Sequence, residues 1–274
     1  MSRIKIITDS TSYLSKEFVE KENISVVQLN YVIDGISYKE GFKGEYDEFY
    51  EKLASTKLFS STSQPSAGEF YEAYVEGLKN YDEIIVIVLS SKVSGTYNSA
   101  VLAKNMLEDK KITIIDTKTS ASNLKFLVED ALQMVKDGKT SEEIKYYIED
   151  KKEKMHVFLT VDTLEYLSRS GRLTSIQSML GNLLNIKPII KLKDGELTLI
   201  EKIRGKKKAY STLIDKLPKK VCKIGICQIL NIEEAEKMKE ILADKFPNAI
   251  ITIDELGPAL GSHLGPKTLG LCFY

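Results

Sequence analysis

Residues 84–89 read Ile84-Ile85-Val86-Ile87-Val88-Leu89, six aliphatic side chains in a row between Glu83 and Ser90. The run is far too short to cross a membrane as a helix and has the length of a strand. Side chains alternate faces along a strand, so both faces of this one are apolar. Such a strand needs cover on both sides, as in parallel sheets flanked by helices. The rest of the first half repeats the theme. Ile4-Lys5-Ile6-Ile7-Thr8 ends in Asp9-Ser10-Thr11-Ser12, and residues 112–115 end at Asp116. Each is a strand pattern closed by polar residues suited to a turn and a helix start. This rhythm points to an open α/β sheet with its site at the carboxyl edge.

Local signals fill in the intervening elements. Residues 24–29 form another strand pattern. Asp34-Gly35 and Asp194-Gly195, each between strand patterns, mark two hairpins. Ser66 with Glu69 and Thr140 with Glu143 are capping boxes that open helices carrying Phe70, Tyr74 and Leu78, and Ile144, Tyr147 and Ile148. Residues 47–53 place Phe49, Tyr50 and Leu53 on one helical face, and a further helix is expected over 124–136.

The second half reads as strands 157–161, 189–193, 196–203, 222–229, 250–253 and 268–274, with helices over 206–217 and 233–246. A helix is expected from Thr174 and Gln177, bearing Ile176, Leu180, Leu183 and Leu184, with Pro188 closing that segment. The glycine-rich stretch 257–265 reads as a loop. The charge run at 149–154 interrupts the strand–helix alternation and suggests two domains. The first, 1–152, is α/β with a mostly parallel sheet and flanking helices; the second, 153–274, is mixed α/β.

Charge and composition narrow the function. The 274 residues hold 39 basic and 39 acidic side chains, a formal balance of zero that argues against nucleic acid as the main partner. Residues 165–208 alone carry ten basic and four acidic groups, net +6, but with few aromatics for base stacking. No stretch approaches the ~18 apolar residues of a membrane span. Met1 leads directly into the first strand pattern without a signal-peptide signature, so a cytoplasmic location is expected. Cys222, Cys227 and Cys272 match no zinc spacing and are read as reduced thiols, Cys222 and Cys227 on opposite strand faces.

Two hydroxyl-rich loops are expected, at 61–66 and 90–96. Hydroxyls beside the unpaired amides of a helix start can hold a carboxylate or phosphate, and Gly95 between Ser94 and Thr96 allows close backbone approach. His263, in Gly261-Ser262-His263-Leu264-Gly265-Pro266, is a stronger candidate than His156, which precedes a strand. No Walker loop, Gly-x-Gly-x-x-Gly fingerprint or Gly-x-Ser-x-Gly elbow occurs in the 274 residues.

Taken together, Thr8-Asp9-Ser10-Thr11, Thr62-Ser63-Gln64-Pro65-Ser66, Ser90-Ser91-Lys92-Val93-Ser94-Gly95-Thr96, Ser170-Gly171-Arg172, Leu184-Asn185-Ile186-Lys187-Pro188, Arg204-Gly205-Lys206 and the His263 segment resemble the DegV family in order and type. The resemblance implies a two-domain α/β fold holding one long-chain fatty acid between the domains, with no cofactor. It further implies that the protein is the lipid-binding subunit of a fatty acid kinase. A separate ATP-binding subunit would phosphorylate the carboxylate. By the same resemblance Thr62, Ser94 and His263 bind the carboxylate and Ser63, Gly95 and Thr96 supply helix-end or loop donors. Arg172 docks the partner or steadies phosphate.

One stretch departs from the family pattern. Where closely spaced glycines are usual, this chain has Asn123 and Lys125 within Ser120-Ala121-Ser122-Asn123-Leu124-Lys125-Phe126, which implies a differently shaped wall. Ser170 also stands where the family often has glycine. Two other classes fit parts of the sequence: a Ser94/His263 esterase or acyl-phosphate hydrolase, and a nucleic-acid-associated regulator using the basic segment.

Overall fold

The structure, a computed structural model, describes residues 2–55, 59–108, 111–173 and 185–274, apart from the side chains of residues 54 and 55. The helix expected from Thr174 and Gln177 lies outside the described residues.

In chain order, β1 (Ile4–Asp9) enters a short 3-10 turn (Ser10–Ser12), then come α1 (Lys16–Lys21), β2 (Ser25–Val27), β3 (Asn30–Ile33) and β4 (Ile36–Lys39). Next are α2 (Asp47–Ser55), β5 (Ser61–Ser63), α3 (Ala67–Leu78), β6 (Glu83–Val88) and α4 (Thr96–Leu107). β7 (Ile112–Asp116), α5 (Ala121–Lys136) and α6 (Ser141–Lys152) follow. Beyond them lie β8 (His156–Thr160), α7 (Glu165–Ser170), β9 (Ile186–Lys193), β10 (Glu196–Arg204) and α8 (Lys206–Asp215). The chain closes with β11 (Lys223–Ile229), α9 (Ile232–Lys245), β12 (Ile250–Glu255), α10 (Pro258–Leu264) and β13 (Thr268–Phe273).

These strands make a mixed α/β fold of three sheets. The first is parallel, in the order β2-β1-β6-β7. Its central strand β6 is the aliphatic run, and Ile84 to Val88 are fully buried as expected for a strand covered on both faces. The second sheet, β10-β9-β8-β13-β11-β12, is antiparallel except where β11 meets β12. The third is a small antiparallel sheet, β4-β3-β5. Helix α5 links the two large sheets: Leu124, Leu127 and Val128 pack with Ile6 and Ile85, while Ser122 and Lys125 bond Asp254 on β12. The small sheet and α2 also reach the far half, where Ile33, Phe49 and Tyr50 share a core with Leu159, Leu256 and Leu264.

Both capping boxes and both hairpin turns form where the sequence places them, with Asp34, Gly35, Asp194 and Gly195 in the left-handed region the turns require. Cys222 is exposed and Cys227 buried. Several elements differ from expectation. Residues 61–63 are not loop but strand β5, pairing Tyr31 with Thr62, because β3 offers a free edge that hydroxyl side chains do not hinder. Helix α5 starts at Ala121, three residues earlier than expected, because Asp254 satisfies the polar Ser122 and Lys125 inside it. Pro188 lies within β9, not before it. It pairs with Lys202 on β10, while the β8 pairing begins only at Ile190, so the missing amide costs no ladder bond on that side.

The largest departure is 257–265, expected as a loop and folded as α10. Pro258 presets the first turn. Glycines are required here by packing: a Cβ at Gly261 would stand 2.7 Å from the Tyr50 hydroxyl, and one at Gly257 2.5 Å from Glu40 Oε1. Glu40 itself is fully buried and accepts the Ala259 amide at 2.8 Å, an acid placed at the start of a helix.

Candidate functional site

Three segments distant in sequence meet at one cavity. β5 ends against α10, joined by two side-chain bonds: Ser60 Oγ to Ser262 Oγ at 2.7 Å, and Thr62 Oγ1 to His263 Nε2 at 2.7 Å. From the parallel sheet, the turn after β6 brings Leu89, Val93 and Ser94 to the same wall. Asp9 holds that turn. Its buried carboxyl accepts the Leu89 amide at 2.7 Å and the Thr11 hydroxyl at 2.6 Å, and burial raises it to about 6. Arg172, just past α7, lines the cavity as well; its Nη1 donates to the Ser170 carbonyl at 2.5 Å.

Thr62, Ser63, Gln64, Ser94, Ser120, Arg172, His263 and Thr268 are its polar lining. Gly95 and Thr96 stand behind the wall. A Cβ at Gly95 would lie 2.7 Å from the Gln64 amide nitrogen, so here the glycine makes room for Gln64. Thr96, fully buried, bonds Ser94 through its hydroxyl at 2.9 Å and through its amide at 3.3 Å. Among the described residues, no group of three His, Cys, Asp or Glu side chains has the arrangement of a metal site.

His263 is the electrostatic centre. Burial first, and the nearby Arg172 charge second, lower its pKa to about 4. At neutral pH it is therefore an uncharged imidazole. A neutral ring has one donor and one acceptor nitrogen. Nε2 engages Thr62, whereas Nδ1 is buried with no partner among the described residues. The pair is thus a hydroxyl and a ring with hydrogen-bonding capacity to spare, beside a guanidinium. Such a set suits an anion, since buried polar groups gain most from a charged acceptor.

Beyond these groups the cavity is apolar, and the second sheet shows how it is laid out. Thr268, Gly270 and Cys272 alternate along β13 and all face it. Thr268 stands next to α10, its hydroxyl donating to the Gly265 carbonyl at 2.8 Å. From there the strand carries the cavity wall about 13 Å to Cys272, at a strand rise of ~3.3 Å per residue. At the Cys272 level, register places Val157, Leu192 and Leu197 in one row across β8, β9 and β10. Leu159, Leu256 and Cys227 line the stretch between. The space among these atoms, part of it open to solvent, is about 970 Å³. A polar end and an apolar run of this kind match an amphiphile with one small anionic group.

The sequence singled out Thr62, Ser63, Ser94, Arg172 and His263, and the structure brings these five to one cavity. Gln64, Ser120 and Glu40 were not foreseen. Gln64 lies inside a quoted motif without a role of its own. Glu40 follows a strand as an ordinary acidic residue, and nothing local announces that it caps a helix 219 positions away. The basic segment does not act as one free face: Arg169 pairs with Glu165, Lys187 with Asp162 and Lys206 with Glu234.

Comparison with known proteins is consistent across the whole chain. The model of the family described as uncharacterised protein, DegV family, matches residues 3–274. The DegV domain-containing protein TTE1491 of Caldanaerobacter subterraneus is 36% identical over 278 residues, spanning 100% of this chain and 99% of that protein. DegV of Bacillus subtilis, a fatty acid binding protein of known structure, superposes with a TM-score of 0.89 at 33% identity, covering 100% of this chain and 99% of that one. A DegV family protein from Thermus thermophilus, solved for its fatty acid binding, gives 0.89 at 30% identity, covering 99% of each chain.

Proposed function

The chain belongs to the DegV family, and from that premise we propose that it binds one long-chain fatty acid, carboxylate at Thr62, Ser94 and His263 and tail along β13. The lipid lies between units 1–152 and 153–274 in this reading. The observation that carries it is the Thr62–His263 pair beside Arg172 at one end of an otherwise apolar cavity.

The physical argument has two parts. Each buried methylene contributes about 0.8 kcal/mol by transfer, so a tail of some fifteen offers on the order of 12 kcal/mol before the costs of immobilisation. The carboxylate cannot accompany it unpaired, because an uncompensated buried charge costs far more than a hydrogen bond returns. Thr62, Ser94 and the free valence of His263 are the compensation, with Arg172 adding charge. Ser63, also in the lining, adds a further donor at the polar end, while Gly95 and Thr96 act from behind the wall by seating Gln64 and Ser94.

In the same reading the protein works in the cytoplasm as the lipid-binding subunit of a fatty acid kinase. It presents the carboxylate to a separate ATP-binding subunit. One carboxylate oxygen attacks the γ-phosphorus, the bond to the ADP oxygen breaks, and acyl phosphate and ADP result. Hydroxyl and neutral imidazole donors orient that oxygen without the tight neutralisation a buried lysine would impose. Arg172, half-buried in the cavity lining, would meet the incoming phosphate or the partner's surface. The chemistry needs in-line approach and charge stabilisation, which the partner's nucleotide and metal supply.

The test is a titration of delipidated protein with palmitic acid and with its methyl ester. The acid should bind one per chain and the ester at least tenfold more weakly, since it brings the tail without the charge. Equal affinity for both would remove the anion site from the account, and binding of neither would remove the lipid.

A further inference from the structure

We propose that Cys227 and Cys272 form a redox pair in the cavity wall that reduces the hydroperoxide of an unsaturated fatty acid, an inference that rests on the fatty-acid reading above. Both side chains line the cavity, and their sulfurs stand 3.6 Å apart. The pairing of β11 with β13 explains the approach. Cys227 lies opposite Gly270 and Cys272 opposite Gly225, so the cysteines occupy one diagonal of a four-residue block and glycines the other. The glycines leave no side chain of either strand between the sulfurs. A disulfide would bring them to about 2 Å, a shift for which that block has room.

The first turn of α5 makes the two thiols unequal. Gly225 admits it, since a Cβ there would overlap the Ser122 side chain. Ser122 Oγ lies 2.5 Å from Asp254 Oδ2 and 3.1 Å from Cys227 Sγ. A hydroxyl has one proton to give. Ser122 gives it to the carboxylate, so its lone pair faces Cys227 and receives the S–H. Sulfur, serine and carboxylate thus make a proton path leading away from the cavity, ending at an acid that Lys125 and Thr252 also hold. Cys272 in turn donates to Cys227. That bond first, and the Ser122 hydroxyl and amide as well, hold the Cys227 thiol below its ordinary range against the effect of burial. The same bond and burial push Cys272 well up. The start of α5, which has no side-chain cap, favours a thiolate beside it. Cys227 is therefore the nucleophile and Cys272 the thiol that resolves it.

Position selects the substrate. Both thiols are buried, so a guest in the cavity reaches them more readily than a solute outside. With the carboxylate at Thr62 and His263, they face the body of the acyl chain, and peroxidation of an unsaturated chain puts its –OOH group there, beside the double bonds. Cys227 passes its proton through Ser122 to Asp254, and the thiolate attacks the outer oxygen of the hydroperoxide. The O–O bond breaks, the departing alkoxide recovers the proton to become a hydroxyl, and Cys227 becomes a sulfenic acid. The Cys272 sulfur then displaces that oxygen from Cys227, and the oxygen leaves with the Cys272 proton as water. Hydroperoxide and two thiols become alcohol, water and disulfide, with both electrons drawn from the thiols, once per reduced chain.

The experiment mixes the reduced, delipidated full chain with one equivalent of linoleic acid hydroperoxide and, in parallel, of hydrogen peroxide. One hydroxy acid per chain should form, with a Cys227–Cys272 disulfide in the peptide map and Cys222 still free. At equal concentration the lipid hydroperoxide should react on the order of tenfold faster than hydrogen peroxide, the advantage of a reactant held in place. Cys227→Ala should abolish the reduction. Cys272→Ala should still yield the hydroxy acid and stop at a sulfenic acid that dimedone traps. Product and disulfide in the unaltered protein are decisive should a variant not fold. Bound hydroperoxide with both thiols left free overturns the proposal and leaves fatty acid binding standing. Equal rates for the two peroxides overturn the lipid as substrate. If neither palmitic acid nor the hydroperoxide binds, the fatty-acid reading fails and the proposal with it.

Discussion

The Thr62 hydroxyl and the His263 ring are 201 residues apart in sequence and 2.7 Å apart in space. The contact ties the small sheet to α10, so it serves the fold and the site together. Thr62→Val removes the hydroxyl at constant shape and leaves Nε2 without its partner. The expected loss is ~1–3 kcal/mol in stability, the usual cost of stranding one buried polar group, read from urea midpoints. Fatty acid affinity should drop about tenfold in the same variant, as one charge-assisted bond is lost. A variant with unchanged affinity would move the carboxylate away from Thr62.

Acid should destabilise the protein through His263. The unfolded ring takes its proton near pH 6.5, whereas the buried ring stays neutral down to about 4. Between those values the unfolded chain binds more protons, so stability falls as pH drops through the window, by about 3 kcal/mol in full. Asp9 and Glu40, raised by burial to about 6 and about 7, act in the opposite sense over an overlapping range. The clean measurement is the difference between the unaltered protein and His263→Gln from pH 7.5 to 4. That difference should shift by about 3 kcal/mol in favour of the variant toward acid. A difference that does not change with pH contradicts a neutral buried ring.

Arg172→Ala separates two roles. Removing the guanidinium takes away the second cause of the low His263 value, so the ring should titrate higher, as followed by its NMR shifts. Acyl phosphate formation with the ATP-binding subunit should fall much further than fatty acid affinity. Equal losses in both would place Arg172 in lipid binding alone.

Residues 120–126 were expected to reshape a wall, yet only Ser120 and Ala121 of them line the cavity; Ser122 and Lys125 turn instead to Asp254. Lys125 Nζ pairs with Asp254 Oδ1, both with little solvent access, while Ser122 donates to Oδ2 at 2.5 Å and Thr252 donates at 3.0 Å. Asp254→Ala would leave the Lys125 cation buried and unpaired, at a cost of ~3–5 kcal/mol. Lys125→Met should be milder, because Ser122 and Thr252 still serve the carboxylate. Chemical denaturation of the two variants checks the order, and the reverse order would contradict it.

These cases show what could be read from the chain and what could not. The β6 run, the Ser66 and Thr140 caps and the two Asp-Gly turns are local rules obeyed locally, and all were legible. Helix α10 was not, because Gly257, Gly261 and Gly265 look like loop residues until the Tyr46, Tyr50 and Tyr166 rings packed on them are seen. β5 was hidden by its hydroxyls, which carry no strand pattern. In the site, His263 drew attention by its glycine neighbours; Thr62 and Ser94 lay in hydroxyl-rich loops read as anion sites, and the family resemblance singled them out within those loops. Glu40 and the Cys227–Cys272 pair depend on contacts between elements far apart in sequence, for which no spacing rule exists.

The central claim is that one fatty acid occupies the cavity between the sheets. Native mass spectrometry of protein purified without detergent or added lipid, followed by solvent extraction, addresses it directly. The account predicts one added mass per chain, identified after extraction as a long-chain monocarboxylic acid. Chains carrying no added mass, or an extract containing only phospholipid, would contradict it.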